Sequence, residues 1–366
     1  MASSFKTIDP KDIVSTRNLL HEAIPITGTI VSGTYADNNI KNYSHGMFQS
    51  VYDYPYLSSS ANHILDVTCG YSSKSGLSSS AVASGSQQNA KKINIYNEMA
   101  QVLAGFDEDG NVRRFDEDGD LTGGAKINEA YVINFTRLLS KDEIKKGSFT
   151  LELGVTQDYL TPFTTRIKLT DASGSTGFKV NSPVGEYGIL FAVDSAGSPM
   201  NTNGTTGKAA GLLYYQAGIA IVSASVFGGQ EAVLPGLGQG ILTLSASMNQ
   251  TEENVSAVLT GSAISSSCSE FRHRLYNLSF NNTTELNSTI YFCRASHNDF
   301  NYSSNPTYLT ASKMVVKNNS TDSPVSFATA VGLYSADNEL LAVAKLSEPL
   351  KKDPSNEFTL RVRLDY

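Results

Sequence analysis

The sequence predicts a mainly β protein with some α-helix, built as an antiparallel β-sandwich or as meander domains, with a mixed α and irregular N-terminal part. In the last ten residues, Glu357 to Tyr366, apolar and polar residues alternate, as they do in a half-buried strand. Short apolar runs separated by Gly and Ser recur from about residue 126 onward. One segment near residue 95 has clear helical periodicity.

The composition is that of a folded protein with a polar but weakly charged surface. Of the 366 residues, 40% are hydrophobic and 17% are charged. The net charge of -7 argues against a generally basic surface that binds nucleic acid. No apolar run reaches the roughly 20 residues of a membrane span, and residues 1–30 lack the pattern of a secretory signal. We therefore expect neither nucleic acid nor a membrane as a partner.

The three cysteines are Cys69, Cys268 and Cys293. Their odd number and wide spacing give neither a disulfide framework nor a CxxC metal pattern. The sequence therefore predicts buried free thiols, and it predicts no cofactor.

Residues 1–71 are predicted to be a mixed, aromatic-rich N-terminal segment. Asp9 and Pro10 precede "KDIVSTRNLLHEA", which is typical of a short capped helix that starts at Lys11.

The stretch from His45 to Leu57 is dense in aromatic residues. Phe48, Tyr52, Tyr54 and Tyr56 are interleaved with polar residues. This pattern suits either a small packed core or an interface between subunits, and both readings stay open. The four rings are candidate interface residues.

Residues 72–90 are rich in Ser and Gly and are predicted to be a linker or loop that orders only on assembly. Residues 91–125 are predicted to form a helix followed by an acidic hairpin. The helix is expected over Ala90 to Gly105, because its apolar residues share one face and Gly105 is a natural stop.

The acidic hairpin contains the sequence FDEDG twice, at Phe106–Gly110 and Phe115–Gly119. Asp-Gly favours a tight turn because the turn needs a positive φ angle. In addition, Asp116, Asp118 and Asp120 occupy alternate positions, as the oxygen ligands do in the first half of a calcium loop.

Two departures weaken the calcium reading of this hairpin. Leu121 stands where a calcium loop has Gly, and Ile127 stands where it has a bidentate Glu. A solvated acidic turn is therefore preferred, with a calcium site as the weaker alternative, and no metal site is predicted.

Residues 126–366 are predicted to be β-rich. A buried strand pair is expected in Ala209–Phe227, and a helix is expected after Asn249. Further strands are predicted in these stretches: KINEAYVINFTRLL, GSFTLELGV, TRIKLTDASGSTGF, GEYGILFAVDSAGSP and STIYFCRAS.

Residues 326–366 are predicted to form a C-terminal antiparallel meander. Two strands meet at Ala336–Asn338, and a Pro-bounded turn through Lys352–Ser355 leads to the final strand. The apolar face of that strand is expected in a core. Arg361 and Arg363 are expected to point outward as candidate interface residues, since a regular edge strand can dock another chain.

No catalytic constellation is found in the sequence. The five histidines lack metal-binding spacing, and neither a GxSxG elbow nor a P-loop occurs. Glu186 and Asp194 could be imagined as paired glycosidase carboxylates, but any β protein offers such pairs. We predict no catalytic residues and no enzymatic activity.

Two stretches resemble structural proteins from the virions of large contractile-tailed bacteriophages. Val331–Tyr366 is similar to the terminal β module of phage tail and baseplate-associated proteins, and Gly46–Ser72 is similar to virion proteins of such phages. The positions that carry the first resemblance are Gly332, Leu333, Tyr334, Asn338, Leu340, Ala342, Val343 and Pro349.

The resemblance implies a structural component of the tail, baseplate or neck that assembles in the host cytoplasm and remains in the virion. Its expected partners are other virion proteins and further copies of itself in a homo-oligomer. A receptor- or glycan-binding adhesin on the virion is the alternative, which exposed aromatic clusters and a fibrous repeat would favour, and the sequence shows no such repeat. An enzyme is the third class, which perturbed carboxylates in a deep cleft would favour.

Overall fold

The computed structural model describes residues 5–22, 37–79, 86–121, 123–139, 142–154, 166–194, 196–198, 209–227, 241–244, 250–261, 263–301, 321 and 325–366. This part of the chain is mainly β with some α and contains large antiparallel sheets, which confirms the predicted fold class.

The strands, in chain order, are β1 (Ile13–Glu22), β2 (Ile40–Asn42), β3 (Gln49–Tyr52), β4 (His63–Tyr71), β5 (Phe115–Asp116), β6 (Lys126–Ile127), β7 (Glu129–Asn134), β8 (Glu143–Ile144), β9 (Thr150–Gly154), β10 (Arg166–Thr170), β11 (Lys179–Ser182), β12 (Gly185–Val193), β13 (Ala209–Tyr214), β14 (Ile219–Ser223), β15 (Ile241–Leu244), β16 (Gln250–Glu253), β17 (Leu275–Ser279), β18 (Asn282–Ala295), β19 (Ser326–Tyr334), β20 (Leu340–Lys352) and β21 (Phe358–Asp365). The α-helices are α1 (Ser86–Leu103), α2 (Gly174–Gly177), α3 (Val255–Gly261) and α4 (Ile264–Arg272). Short 3-10 helices occupy Pro10–Asp12, Asp37–Asn39, Gly76–Ser79, Thr136–Leu138 and Ala224–Phe227. No helix in these described ranges is long and apolar enough to cross a bilayer.

The chain divides into two compact units. Unit 1 consists of Met1–Leu20 and Glu285–Tyr366, and unit 2 consists of His21–Thr284. Unit 1 thus combines the two ends of the chain. Composition along a sequence marks linkers, but it does not show which distant segments pack together.

Unit 2 is organised around an eleven-stranded sheet in the order β17-β9-β10-β12-β13-β14-β7-β4-β3-β2, with β11 paired to β12. Consecutive residues of a strand point to opposite faces. In β7, Tyr131 and Ile133 join one buried cluster, whereas Ala130 and Val132 join another. Apolar side chains therefore cover both faces of the central strands, which explains their nearly continuous apolar sequences.

The strands predicted within unit 2 are confirmed. The stretch Ala209–Phe227 forms the antiparallel pair β13–β14, in which Leu212 lies opposite Ile221. The helix predicted after Asn249 is present as α3, but strand β16 comes before it.

Helix α1 confirms the predicted helix and begins earlier than predicted. It starts at Ser86, inside the stretch expected to be a loop, and packs across β4. The contact is close at Gly70, where a Cβ atom would meet the carbonyl oxygen of Lys92 at 2.5 Å. Residues 72–79 are also ordered, with Ser72 and Ser75 buried. The predicted loop over 72–90 is therefore wrong from Ser86 onward, where α1 begins, and residues 80–85 lie outside the described residues.

Unit 1 contains a three-stranded arrangement in the order β1-β18-β21 and a separate hairpin, β19–β20. The predicted helix from Lys11 is wrong, because only Pro10–Asp12 forms a helical turn, capped by Asp9, before β1 begins at Ile13. The Asp-Pro capping signal was thus correct for one turn. Beyond it, Val and Thr favour the extended conformation.

The C-terminal meander is correct in its first two strands and wrong in its third. The hairpin β19–β20 turns at Asn338, whose φ angle is 64°. Strand β21 pairs with β18 instead of β20, in a register that places Ala295 opposite Phe358 and Ser288 opposite Asp365. Alternation identifies a strand in the sequence, but it does not identify the partner of that strand.

Candidate functional site

The hairpin β19–β20 of unit 1 exposes large apolar side chains. It forms a two-stranded sheet that pairs with no other strand among the described residues. Leu341 is 68% exposed and Val343 is 62% exposed. The exposed apolar surface of the hairpin consists of Phe327, Tyr334, Leu340, Leu341, Val343 and Leu350. We call these six residues the hairpin surface. An isolated two-stranded hairpin is only marginally stable in water, so a surface of this kind favours contact with another apolar surface.

The interior of unit 1 is more polar than apolar. Its buried apolar residues, within the described ranges, are Ala295 and Leu333. Its buried polar residues are Asp12, Ser288, Thr289 and Lys352. Hydrogen bonds therefore fix this unit where an ordinary domain would use an apolar core.

Lys352 is the central member of this polar interior. Its side chain has no exposed surface, and Nζ donates to three oxygen atoms. These are the carbonyl oxygen of His297 at 3.1 Å, Oδ1 of Asn301 at 2.7 Å and the carbonyl oxygen of Asp353 at 2.9 Å. A lysine ammonium has three donors, so the cage satisfies all of them. The cage ties the end of β20 to the loop that follows β18.

The terminal strand carries the two arginines that the sequence singled out. Arg361 and Arg363 lie on the exposed side of β21, as predicted. Arg363 donates to Asp365 at 2.6 Å and to Ser288 Oγ at 3.1 Å, which fixes its direction. The opposite side of β21, which begins at Phe358, is half-buried, so the prediction that it lies in a core is only partly met.

The aromatic segment lies in unit 2 around β3. Phe48 and Tyr52 are half-buried, whereas Tyr54 is 57% exposed and Tyr56 is 37% exposed. Within β3 itself, Gln49, Ser50 and Val51 are buried. The four candidate rings therefore border the core without filling it.

A second group of rings lies beside this segment. The Tyr43 ring stacks on His45 at a centroid distance of 5.1 Å and lies 4.8 Å from Phe48. Lys41 Nζ lies 4.8 Å from the centroid of the Tyr43 ring. Half-exposed aromatic residues with polar tips are typical of binding surfaces.

The acidic turn of unit 2 brings the predicted carboxylates together. One oxygen atom from each of Asp116, Asp118 and Asp120 lies within 4.8 Å of the others. Asp116 is buried, and its Oδ2 accepts a hydrogen bond from the Leu121 backbone at 2.6 Å. Leu121 has a φ angle of 64°, the left-handed conformation that the Gly of a calcium loop adopts.

An internal cation already meets the buried carboxylate of this turn. Lys126 Nζ lies 2.7 Å from Asp116 Oδ1. The ammonium offsets one of the three negative charges that would attract a divalent ion. The geometry supports the acidic turn as a structural element closed by this ion pair.

The carboxylates considered for glycosidase chemistry have structural partners. Glu186 Oε2 lies 2.5 Å from Lys146 Nζ, which also lies 3.3 Å from Glu143. Asp194 accepts a hydrogen bond from the Ser198 backbone at 2.8 Å. Glu186 thus joins β12 to the segment that contains Lys146, and Asp194 closes the turn that follows β12.

A Ser, a His and an Asp side chain meet beside the aromatic segment, but they are not arranged in space as in a hydrolase. Asp66 Oδ1 accepts from Ser50 Oγ at 2.5 Å and lies 2.7 Å from His63 Nε2. In acyl transfer the His must stand next to the Ser to take its proton. Here Asp66 stands between them. Burial raises the pKa of Asp66, but the hydrogen bonds from His63 and Ser50 outweigh that effect and lower it overall.

A cleft of about 180 Å³ in unit 2 offers little acid–base chemistry. It is lined by Leu77, Glu129, Ala224, Ser225, Val255 and Ser256, with Gly76 at its edge. Glu129 is the titratable residue of this lining, and its carboxylate accepts a hydrogen bond from Ser75.

Sequence reasoning missed the residues that define the surface of unit 1. Lys352 and Lys351 stand side by side in the sequence, and nothing in it shows that only Lys352 is buried. Leu341 and Val343 alternate with Ala, a pattern that also occurs in strands facing a core. The sequence therefore does not indicate that these two side chains are exposed.

In comparisons with known proteins, no family model, no curated protein and no solved structure matches this chain.

Proposed function

We propose that this chain is a structural subunit that acts by assembly and not by catalysis. It associates with copies of itself and with other virion proteins in the tail, baseplate or neck of a tailed bacteriophage. The observation that carries this proposal is a contrast among the described residues of unit 1: Ala295 and Leu333 are its buried apolar residues, whereas the six residues of the hairpin surface are exposed.

The energetic argument starts from what a folded unit needs. Burial of apolar area is the dominant favourable contribution to folding, and a full Leu or Val side chain contributes roughly 1.5–3 kcal/mol. Among the described residues of unit 1, most large apolar side chains are half-buried or exposed. Association through the hairpin surface would bury Leu341, Val343 and their neighbours. In the assembly, this buried apolar area would add to the stabilisation that the described part of unit 1 obtains from its own interior.

The polar cage of Lys352 prepares the hairpin for this contact. The three acceptors around Nζ hold the end of β20 in one position before any partner binds. Because one end of the hairpin is fixed, less entropy is lost when the rest of it becomes ordered on association. The same cage therefore serves the fold of unit 1 and the geometry of its contact surface.

The virion setting rests on the resemblance of Val331–Tyr366 and Gly46–Ser72 to phage structural proteins. The first stretch includes the tip of the hairpin and strand β21, so the resemblance and the exposed surface coincide in unit 1. The second stretch includes β3, β4 and the exposed Tyr54 and Tyr56 of unit 2. Both stretches supply contact surfaces, as a subunit with several neighbours requires.

An adhesin on the virion is the second candidate, and the rings around β3 favour it. The stacked group of Tyr43, His45 and Phe48, with Tyr54 and Tyr56 close by in sequence, offers aromatic faces to a ligand. A screen of the purified protein against immobilised glycans distinguishes the two candidates. Binding that is lost in Tyr54→Ala with Tyr56→Ala would favour the adhesin.

The assembly proposal is tested by weakening the hairpin surface. We expect analytical ultracentrifugation to show large species for the parent chain and none for the double variant Leu341→Ser with Val343→Ser. Both side chains are largely exposed, so the melting temperature of the unassembled chain should stay close to that of the parent. Electron microscopy of the parent should show regular multimers.

Val180→Ser is the matched control for this experiment. Val180 lies on β11 of unit 2. Its exposed fraction of 69% is close to the 68% of Leu341 in unit 1. It should leave assembly unchanged. A parent chain that stays monomeric at all concentrations, or a double variant that assembles like the parent, would contradict the proposal.

A further inference from the structure

Two cysteine thiols meet in the core of unit 2. Cys69 lies on β4, and Cys268 lies on α4, which packs against β4. Both side chains have no exposed surface. The Cys268 thiol has one proton and two acceptors within reach, the carbonyl oxygen of Val67 at 3.3 Å and the Cys69 sulfur. Val67 precedes Cys69 by two positions on β4, so two thiols that are distant in the sequence lie side by side in the fold.

A buried cation lies beside this pair. Lys92, on α1, has no exposed surface, and its Nζ donates to the carbonyl oxygen of Leu259 at 2.5 Å. Nζ also lies 3.3 Å from Ser267 Oγ, and Ser267 directly precedes Cys268. A buried ammonium is costly unless negative charge lies close to it. Burial lowers the pKa of Lys92, whereas negative charge on Cys69, Cys268 or Glu270 raises it, so a thiolate at the cysteine pair would provide such a charge.

The surroundings make the two thiols unequal. The hydrogen bond from Cys268 lowers the pKa of the Cys69 thiol, and the Lys92 charge acts in the same direction against the cost of burial. Burial raises the pKa of the Cys268 thiol, and its contact with Cys69 adds to this effect. Cys69 is thus the member that ionises first, and the thiolate is the reactive form of cysteine.

We propose that Cys69 and Cys268 are a modification site at which hydrogen peroxide produces an intramolecular disulfide bond. Peroxide is about the size of water, so it can reach a fully buried site during brief local openings that exclude larger oxidants. The bond would join α4 covalently to β4. This inference concerns the core of unit 2 and does not rest on the proposed assembly.

The reaction takes place in two balanced steps. The Cys69 thiolate attacks one oxygen of hydrogen peroxide, the O–O bond breaks, hydroxide leaves, and Cys69 becomes a sulfenic acid. The Cys268 sulfur then attacks the Cys69 sulfur, so that the S–S bond forms and the S–O bond breaks. The oxygen leaves as water with the proton of the Cys268 thiol. The two cysteines lose two electrons in total, and the peroxide gains them.

The test uses the full chain with Cys293→Ser, so that only the proposed pair remains. The protein is treated with equimolar hydrogen peroxide under native conditions, denatured and alkylated, and its mass is measured. We expect the number of alkylated thiols to fall from two to zero and the mass before alkylation to fall by two hydrogen atoms. Digestion should yield one linked peptide pair that contains Cys69 and Cys268.

Three outcomes would overturn the proposal. In the first, both thiols remain open to alkylation after the treatment. In the second, the protein gains oxygen atoms without any linked peptide. In the third, the linked peptides join two different chains.

Two further variants separate the roles of the residues. With Cys268→Ala in the same background, the reaction should stop at the Cys69 sulfenic acid, which dimedone traps. With Lys92→Met, the first step should be slower at constant pH, because the Cys69 thiolate loses the nearby positive charge that favours it. An unchanged rate would contradict the role of Lys92, while the linked peptide would still decide whether the site exists.

Discussion

Lys126 Nζ lies 2.7 Å from Oδ1 of Asp116, whose side chain is 1% exposed. The ion pair lies at the turn where Asp116, Asp118 and Asp120 converge. The fold thus places a positive charge of its own where the sequence pattern suggests a metal ion.

The first prediction is that this turn does not bind calcium tightly. Because Lys126 holds one of the buried carboxylate oxygens, calorimetric titration of the parent chain should show no binding tighter than about 10⁻⁵ M, the weak end of the range of calcium sensors. The control variant Lys126→Gln removes the internal cation and should bind calcium more tightly than the parent. Tight binding by the parent would show that the ion pair opens to admit the metal.

The second prediction concerns the cage around Lys352. In Lys352→Met the methylene chain is largely kept, but the oxygen atoms of His297, Asn301 and Asp353 lose the charged donor. A hydrogen bond from a charged group contributes about 1.5–3 kcal/mol, and the acceptors, which belong to half-buried or exposed residues, regain part of this loss from water. We therefore expect urea melts to show a fall of about 2 kcal/mol or more in the free energy of unfolding.

The neighbouring residue provides the control for that experiment. Lys351 is 60% exposed at its side chain and pairs with Asp353 at 3.2 Å. An exposed ion pair contributes about 0–1 kcal/mol, so Lys351→Met should have little effect. If the two variants melt alike, the buried cage does not stabilise unit 1.

The third prediction is a pH dependence that Asp66 confers on unit 2. Its pKa in the folded protein lies below the ordinary value of 3.8, mainly because the hydrogen bonds from His63 and Ser50 outweigh burial. A depressed carboxyl pKa adds stability above the unfolded pKa, and that stability is lost as the pH falls through the folded pKa. Asp66→Asn should lower the free energy of unfolding by about 1 kcal/mol at pH 7.

The difference between the parent chain and Asp66→Asn should shrink as the pH falls below 3.8. Thermal melts of both proteins at pH 7, 5 and 3 measure it. A difference that stays constant over this range would show that the carboxylate charge of Asp66 does not contribute to stability.

Much of the secondary structure could be predicted from local patterns. Alternation in Phe358–Asp365 and the apolar runs in β12, β13 and β14 identified strands, and the one-sided periodicity near Ile95 identified α1. These signals are local because successive side chains alternate between the two faces of a strand and recur on one face of a helix every three to four residues, whatever the rest of the chain does. The helix predicted from Lys11 failed because a capping residue fixes the first turn and not the conformation that follows it.

The partners of the strands could not be predicted in the same way. Strand β21 pairs with β18 and not with its neighbour β20, and β1 also lies beside β18. Which strands pair depends on packing across distant parts of the chain. For the same reason the sequence showed neither the contact of Cys69 with Cys268 nor the burial of Lys352.

The surface residues were predicted in part. Of the interface candidates, Tyr54, Tyr56, Arg361 and Arg363 are exposed and Phe48 and Tyr52 are half-buried, and their role at an interface stays a prediction. The hairpin surface was missed, because an apolar residue such as Leu341 gives the same pattern whether its strand faces a core or the solvent.

The most direct test of the account is hydrogen exchange of residues 326–352 at low and high protein concentration. Because the hairpin is only marginally stable without a partner, its amides should exchange quickly in dilute protein. They should become protected at the concentrations at which sedimentation shows assembly, while the amides of β7 and β14 stay equally protected throughout. Hairpin amides that are already as protected in dilute monomer as in concentrated protein would contradict the claim that unit 1 is completed by assembly.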